Sequence, residues 1–178
     1  MRFTMVNKRF VIVFTVVLLS VQPLHSHVAT SSIIEENRDF WNQLIQTITI
    51  ANKNLLYASY VAYKDKLYDL SIDSFQECIA QNPDNQLIQG VANYYIGKNF
   101  YHIGEYKKAA LFFLATERYS MNQYSSLKAA ALINAALCYI AIDDIALAKT
   151  YLQKSLQYDI EGTYRTTADS LLQSIKEH

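Results

Sequence analysis

The sequence predicts an all-α fold of stacked antiparallel helix hairpins, and two observations predict it. Three stretches repeat one arrangement, in which a small residue on a first helix is followed twelve positions later by a small residue on a second. The pairs are Ser59 with Ser71, Gly97 with Ala109, and Ala136 with Ala148, so the second members Ser71, Ala109 and Ala148 recur at a nearly constant period. Turn signals fall where such hairpins need them: Asn82-Pro83 after the first, Gly104 inside the second and Asp143-Asp144 inside the third. Self-similarity at a fixed period marks an array in which each unit buries its apolar face only against its neighbours.

The elements follow in chain order. Arg2, Lys8 and Arg9 precede an apolar run from Phe10 to Val21, with Pro23 close behind. The run falls short of the roughly 20 residues a membrane-spanning helix needs, so residues 1–26 have the form of a secretory signal peptide. Cleavage after Ser26 is one reading and after Ala29 or Thr30 another, while an uncleaved membrane anchor is the competing interpretation. No cysteine lies near the end of the run, so a lipid-modified bacterial N-terminus is not supported. The whole chain carries 16 basic and 16 acidic residues, but residues 1–26 hold three of the basic ones and no acidic one. Thirteen basic against 16 acidic residues remain, a net charge of about −3, which argues against nucleic-acid binding. Asn-x-Ser/Thr is absent, which leans weakly towards a bacterial envelope.

Residues 27–51 form a linker and an added helix, because Ile33, Ile34, Phe40, Trp41, Leu44, Ile45, Ile48, Leu55 and Leu56 recur at roughly helical spacing. The place of Trp41 in that stripe favours core packing over a binding anchor. Three repeats then span about 52–85, 90–123 and 129–162. Small residues sit where the two helices of a hairpin cross closely, and Tyr68, Phe75, Tyr106 and Phe113 fill the space around those crossings. Pro83 ends the first hairpin because it lacks an amide hydrogen and pushes its predecessor out of helical geometry. Residues 163–178 make a last amphipathic helix on Tyr164, Ala168, Leu171, Leu172 and Ile175, the solvating cap that an array requires. About eight helices are expected after the signal.

The residues flanking each small pair also match in kind. The second stretch has Tyr95, Ile96, Gly97, Phe100, Tyr101, Gly104, Glu105, Tyr106, Ala109, Ala110 and Phe113. The third has Asn134, Ala135, Ala136, Tyr139, Asp143, Asp144, Ile145, Ala148, Leu152 and Ser155, and the first has Tyr68, Ser71, Ile72, Phe75, Cys78 and Ile79. Over roughly residues 52 to 160 the chain resembles tetratricopeptide repeats, which implies a short right-handed solenoid. The usual unit of that family is about 34 residues long, and the period here is longer. The four or five extra residues fall between one repeat's second helix and the next repeat's first, which reads as lengthened helices or longer turns. Met121 and Ile160 stand where the terminal proline of the second and third repeats belongs.

The resemblance implies that first helices line a concave surface. The matching positions are Lys53, Leu56, Tyr60, Tyr63 and Lys64, then Tyr94, Lys98, Tyr101 and His102, then Ile133, Leu137 and Ile140. Tyrosine offers rigid area with a polar end and suits peptide binding; the competing reading packs the same rings between neighbouring helices. Family members that hold chaperone tails use a lysine, arginine and asparagine clamp. Leu56, Tyr60, Tyr95 and Ala130 occupy its places here, so that ligand is disfavoured.

Chemistry is poorly signalled. Cys78 and Cys138 read as buried, unpaired thiols two repeats apart. His25, His27, His102 and His178 form no helical metal pair with a carboxylate. Gly90, Gly97 and Lys98 do not make a phosphate loop, since six residues separate the glycines where four are needed. Neither Gly-x-Ser-x-Gly nor His-Glu-x-x-His is present, and no cofactor is expected. The sequence therefore predicts an exported, noncatalytic scaffold or adaptor, periplasmic or secreted, that binds a protein or peptide. The alternative is a component of a secretion, pilus or outer-membrane machine anchored to the inner membrane, and an enzyme stands a distant third.

Overall fold

Seven helices and no strand make up the described part of the chain, so the fold is all-α. The computed structural model describes residues 48–119, 124–160 and 162–176, together with Ile33, Leu44 and Gln46. The signal segment, Trp41 with most of the added helix, and Met121 lie outside the described residues. The helices are α1 (Ile50–Lys64), α2 (Tyr68–Gln81), α3 (Gln86–His102), α4 (Tyr106–Tyr119), α5 (Ser125–Ala141), α6 (Ile145–Tyr158) and α7 (Arg165–Ser174).

Local chemistry sets their ends. Asn85 accepts the Ile88 N–H at 3.1 Å and Asp144 the Leu147 N–H at 3.1 Å, satisfying donors that a first turn leaves unpaired. Before α7, which has no side-chain cap, Asp159 accepts the N–H of the N-cap residue Tyr164 at 3.0 Å. The first helix of each hairpin ends on a residue with left-handed backbone: Lys66 (φ 61°), Gly104 (φ 83°) and Asp143 (φ 65°). These three recur with the same period as the small residues Ser71, Ala109 and Ala148. Each turn closes with the same two bonds, 3.0 and 2.9 Å at Lys66–Leu67, 3.1 and 2.9 Å at Gly104–Glu105, and 3.0 and 2.8 Å at Asp143–Asp144. That pairing satisfies the carbonyls left over at a helix C-terminus.

Each helix packs on the next in sequence, and α1 also reaches α3. The expected crossings are closely packed. Ser71 donates its hydroxyl to the Ser59 carbonyl at 3.0 Å, and Ala109, Ala136 and Ala148 are fully buried. At Gly97 a Cβ would meet the Phe113 ring at 2.9 Å, so only glycine lets α3 and α4 approach this far. The lengthening falls partly in the first helices, since α3 and α5 each run 17 residues against 14 for α2, α4 and α6.

Buried amides tie one hairpin to the next. Gln89 on α3 donates to the Ile79 carbonyl at 3.1 Å and the Asn82 carbonyl at 3.0 Å, closing the end of α2. Asn99 donates to Ser71 Oγ at 3.0 Å, and Asn134 on α5 donates to Tyr94 Oη at 3.1 Å. Cys78 and Cys138 are free thiols in the core, with Cys78 Sγ 3.6 Å from Ser59 Oγ. Burial pushes both thiols above their ordinary pKa.

Candidate binding face

The repeat places three equivalent triplets on the first helices: Leu56, Tyr60 and Tyr63 on α1, Tyr94, Lys98 and Tyr101 on α3, and Ile133, Leu137 and Ile140 on α5. Spacings of three and four residues put each triplet on one face of its helix. Seven of the nine side chains are buried, and Tyr60 and Tyr101 are half-buried. The second helices behave differently. Each of α2, α4 and α6 buries one stripe and exposes the other side, where Leu70, Leu111 and Leu147 meet water. On α3 every residue from Leu87 to Asn99 is buried, and on α5 every residue from Leu127 to Cys138.

An aromatic cluster lies at the junction of α1, α2 and α3, and Tyr95 is its hub. Its ring stacks on Phe75 at 5.1 Å and meets Tyr60, Tyr63 and Tyr94 edge-on at 5.5, 5.3 and 5.8 Å. The Lys98 ammonium sits over three of these rings, 4.8 Å from Tyr63, 4.9 Å from Tyr95 and 5.4 Å from Tyr94. Ring faces carry negative potential, so this is a favourable seat for a cation. At the open end of the cluster, Tyr63 Oη lies 3.2 Å from His102 Nε2, and the His102 ring stacks on Tyr68 at 5.2 Å. Tyr101 packs edge-on against Tyr106 at 5.2 Å; burial, then the neighbouring Cys138 and Tyr106, raises its pKa to about 12.

The structure thus brings together Tyr60, Tyr63, Tyr94, Lys98, Tyr101 and His102. Leu56 belongs to the core. Lys64 is exposed at the last turn of α1, and Lys53 lies part-buried near the other end of that helix. Sequence reasoning assigned Tyr95 only as the occupant of a clamp position and Tyr68 only as a crossing filler. The available signal was their spacing, Tyr95 one turn before Lys98 and Asn99, and Tyr68 at the first turn of the helix that follows the Lys66 turn.

A second polar cluster joins α4 to α6, where Glu117 accepts from Lys154 at 2.7 Å and from Tyr158 at 3.0 Å. Among the described residues no three His, Cys, Asp or Glu side chains gather as a metal site requires. Among them, too, no helix is long and apolar enough to cross a membrane. No family model, no curated protein and no solved structure matches the chain.

Proposed function

We propose that the chain is an exported, noncatalytic adaptor of tetratricopeptide type, a short right-handed solenoid whose first helices hold a polypeptide segment against their common face. The observation that carries this reading is the contrast between helices. The first helices α3 and α5 carry polar side chains such as Asn93, Lys98 and Asn134, yet are buried on all sides, whereas the second helices keep one face in water. The protein itself encloses these polar side chains, so the edge of the face at half-buried Tyr60 and Tyr101 is what it offers to a polypeptide. The common period of the small residues and the left-handed caps supports the repeat assignment. Export rests on Arg2, Lys8 and Arg9 before the run Phe10 to Val21.

Half-buried Tyr60 and Tyr101, with exposed Lys64 and His102 beside them, are the part of this face that an incoming partner meets. Replacing both tyrosines by alanine is expected to weaken capture of the partner from envelope extract about 30-fold, the equivalent of about 2 kcal/mol for central aromatic anchors. The pair Lys107→Ala and Lys149→Ala, at exposed positions on second helices, is the control and leaves capture unchanged. Retained capture by a folded Tyr60→Ala/Tyr101→Ala protein would place the binding surface elsewhere.

A further inference from the structure

The stack of described hairpins ends differently at its two sides. Tyr57 and Val61 stand two residues before and two after the crossing residue Ser59; the same places beside Gly97 and Ala136 are held by Tyr95 with Asn99 and by Asn134 with Cys138. On α3 and α5 these places serve the contact with the hairpin before. Tyr95 stacks on Phe75 of α2, Asn99 donates to Ser71 of the same helix, and Asn134 reaches Tyr94 on α3. All four residues are fully buried, whereas on α1 the matching Tyr57 is 62% exposed and Val61 37%. Ala51, Asn54 and Ala58 are exposed beside them, at spacings of three and four residues that make one stripe. The other end is closed: α7 lies on α6 and buries Tyr164, Ala168, Leu171 and Ile175, and every exposed residue of α7 is polar. A polar outer face of that kind is how an array is capped.

We propose that the α1 stripe is an interface between two copies of this chain, paired about a two-fold axis with α1 against α1. The repeat says what such a stripe takes, namely another helix of the same stack. A second copy has no second-helix edge to give, because α2, α4 and α6 are already covered by α3, α5 and α7 of their own chain. The edge it has open is its own α1 stripe, which makes the contact isologous, the arrangement of the commonest assemblies. Composition suits self-pairing. Ala51 and Ala58 let two helices approach closely, as the small residues do inside the array, and Tyr57 and Val61 supply the apolar area. No exposed residue from Ala51 to Val61 is charged, so the two-fold brings no like charges together. Leu56, Tyr60 and Tyr63 lie on the opposite side of α1, so pairing leaves the inner face to its own partner.

The test is sedimentation velocity of the full chain, as wild type, as Y57E/V61E and as the control L111E, whose site on α4 is exposed but lies off the stripe. The wild type is expected to sediment at twice the chain mass at about 100 μM, and the double variant to dissociate about 100-fold more readily with its helical circular dichroism intact. L111E behaves as the wild type. Mild oxidation of A58C is expected to link two copies through the new thiols, since Cys78 and Cys138 are buried and the two-fold brings Ala58 near its counterpart. A wild type that stays monomeric overturns the proposal, whether the stripe is covered by its own chain or open to water. So does a dimer that Y57E/V61E leaves intact, which would lie elsewhere on the molecule. Should the double variant not fold, the A58C link decides, and its absence from a dimeric protein overturns the α1 pairing. The proposal rests on the alignment of α1 with α3 and α5, whereas capture through Tyr60 and Tyr101 is read separately, so the two fail independently.

Discussion

Gly97→Ala puts the α3–α4 crossing to a test in which two effects of opposite sign compete. In the middle of a solvent-facing helix, alanine in place of glycine stabilises by about 1 kcal/mol, since glycine has more backbone freedom to lose on folding. At Gly97 the new methyl would stand 2.9 Å from Phe113 Cδ1 and Cε1 and 3.1 Å from Cγ, distances that real Cβ atoms do not keep. The ring has no room to retreat, being fully buried with Tyr94 edge-on at 5.7 Å. Overpacking of this kind costs about 1–3 kcal/mol. Subtracting the propensity gain leaves a net loss between about zero and 2 kcal/mol. Urea unfolding followed by far-ultraviolet circular dichroism reads this as an unchanged or lowered midpoint at constant slope. The same substitution in a Phe113→Leu background, where the ring is gone, is expected to raise stability instead, so the two changes couple strongly in a double-mutant cycle. A gain of the full amount, about 1 kcal/mol, from Gly97→Ala in the wild-type background would refute the close approach of α3 to α4.

Two further outcomes follow from the turns and the buried acids. Lys66 is exposed and carries the left-handed penalty of about 1–2 kcal/mol, so Lys66→Gly is expected to gain up to about 1 kcal/mol in thermal unfolding once glycine's own entropy is deducted. The gain at Asp143→Gly is smaller, because aspartate takes that backbone more readily, and destabilisation by Lys66→Gly would refute the turn. The protein is also expected to lose stability in alkali. Cys78, Cys138 and Tyr101 all have raised pKa values in the fold, so their contribution is complete below the unfolded values. It declines above pH 9.0 for the thiols, and between pH 10.0 and about 12 for Tyr101. Urea midpoints at pH 8, 10 and 11 check this, and a flat profile contradicts it.

What the sequence made legible was the set of features that repeat. Ser59, Ser71, Gly97, Ala109, Ala136 and Ala148 are readable because a helix crossing tolerates few side-chain sizes, and each of them is buried. The turns at Gly104 and Asp143 were readable from residue type; the equivalent turn at Lys66 was not, because lysine has no preference for left-handed backbone and only the repeat period points to it. Burial on the first helices was the harder quantity. Lys98 has the look of a surface residue, and its place among three tyrosine rings depends on α1, which is remote from it along the chain. Periodicity locates a face on a helix but does not say what lies against it, so Tyr94 and Lys98 carried the same signal whether the face was open or covered.

The amide ties between hairpins bear on how the molecule comes apart. Gln89, Asn99 and Asn134 have hydrogen-bond partners on a neighbouring hairpin, so a hairpin that detaches breaks these bonds as well as its apolar contacts. Each such bond contributes about 0.5–1.5 kcal/mol net, because the separated groups return to water. These bonds add to the coupling between neighbouring hairpins that opposes fraying from the ends. The middle hairpin holds ties on both sides and is the keystone. The described helices are expected to melt in a single transition rather than in steps, read as coincident unfolding curves by circular dichroism and tyrosine fluorescence.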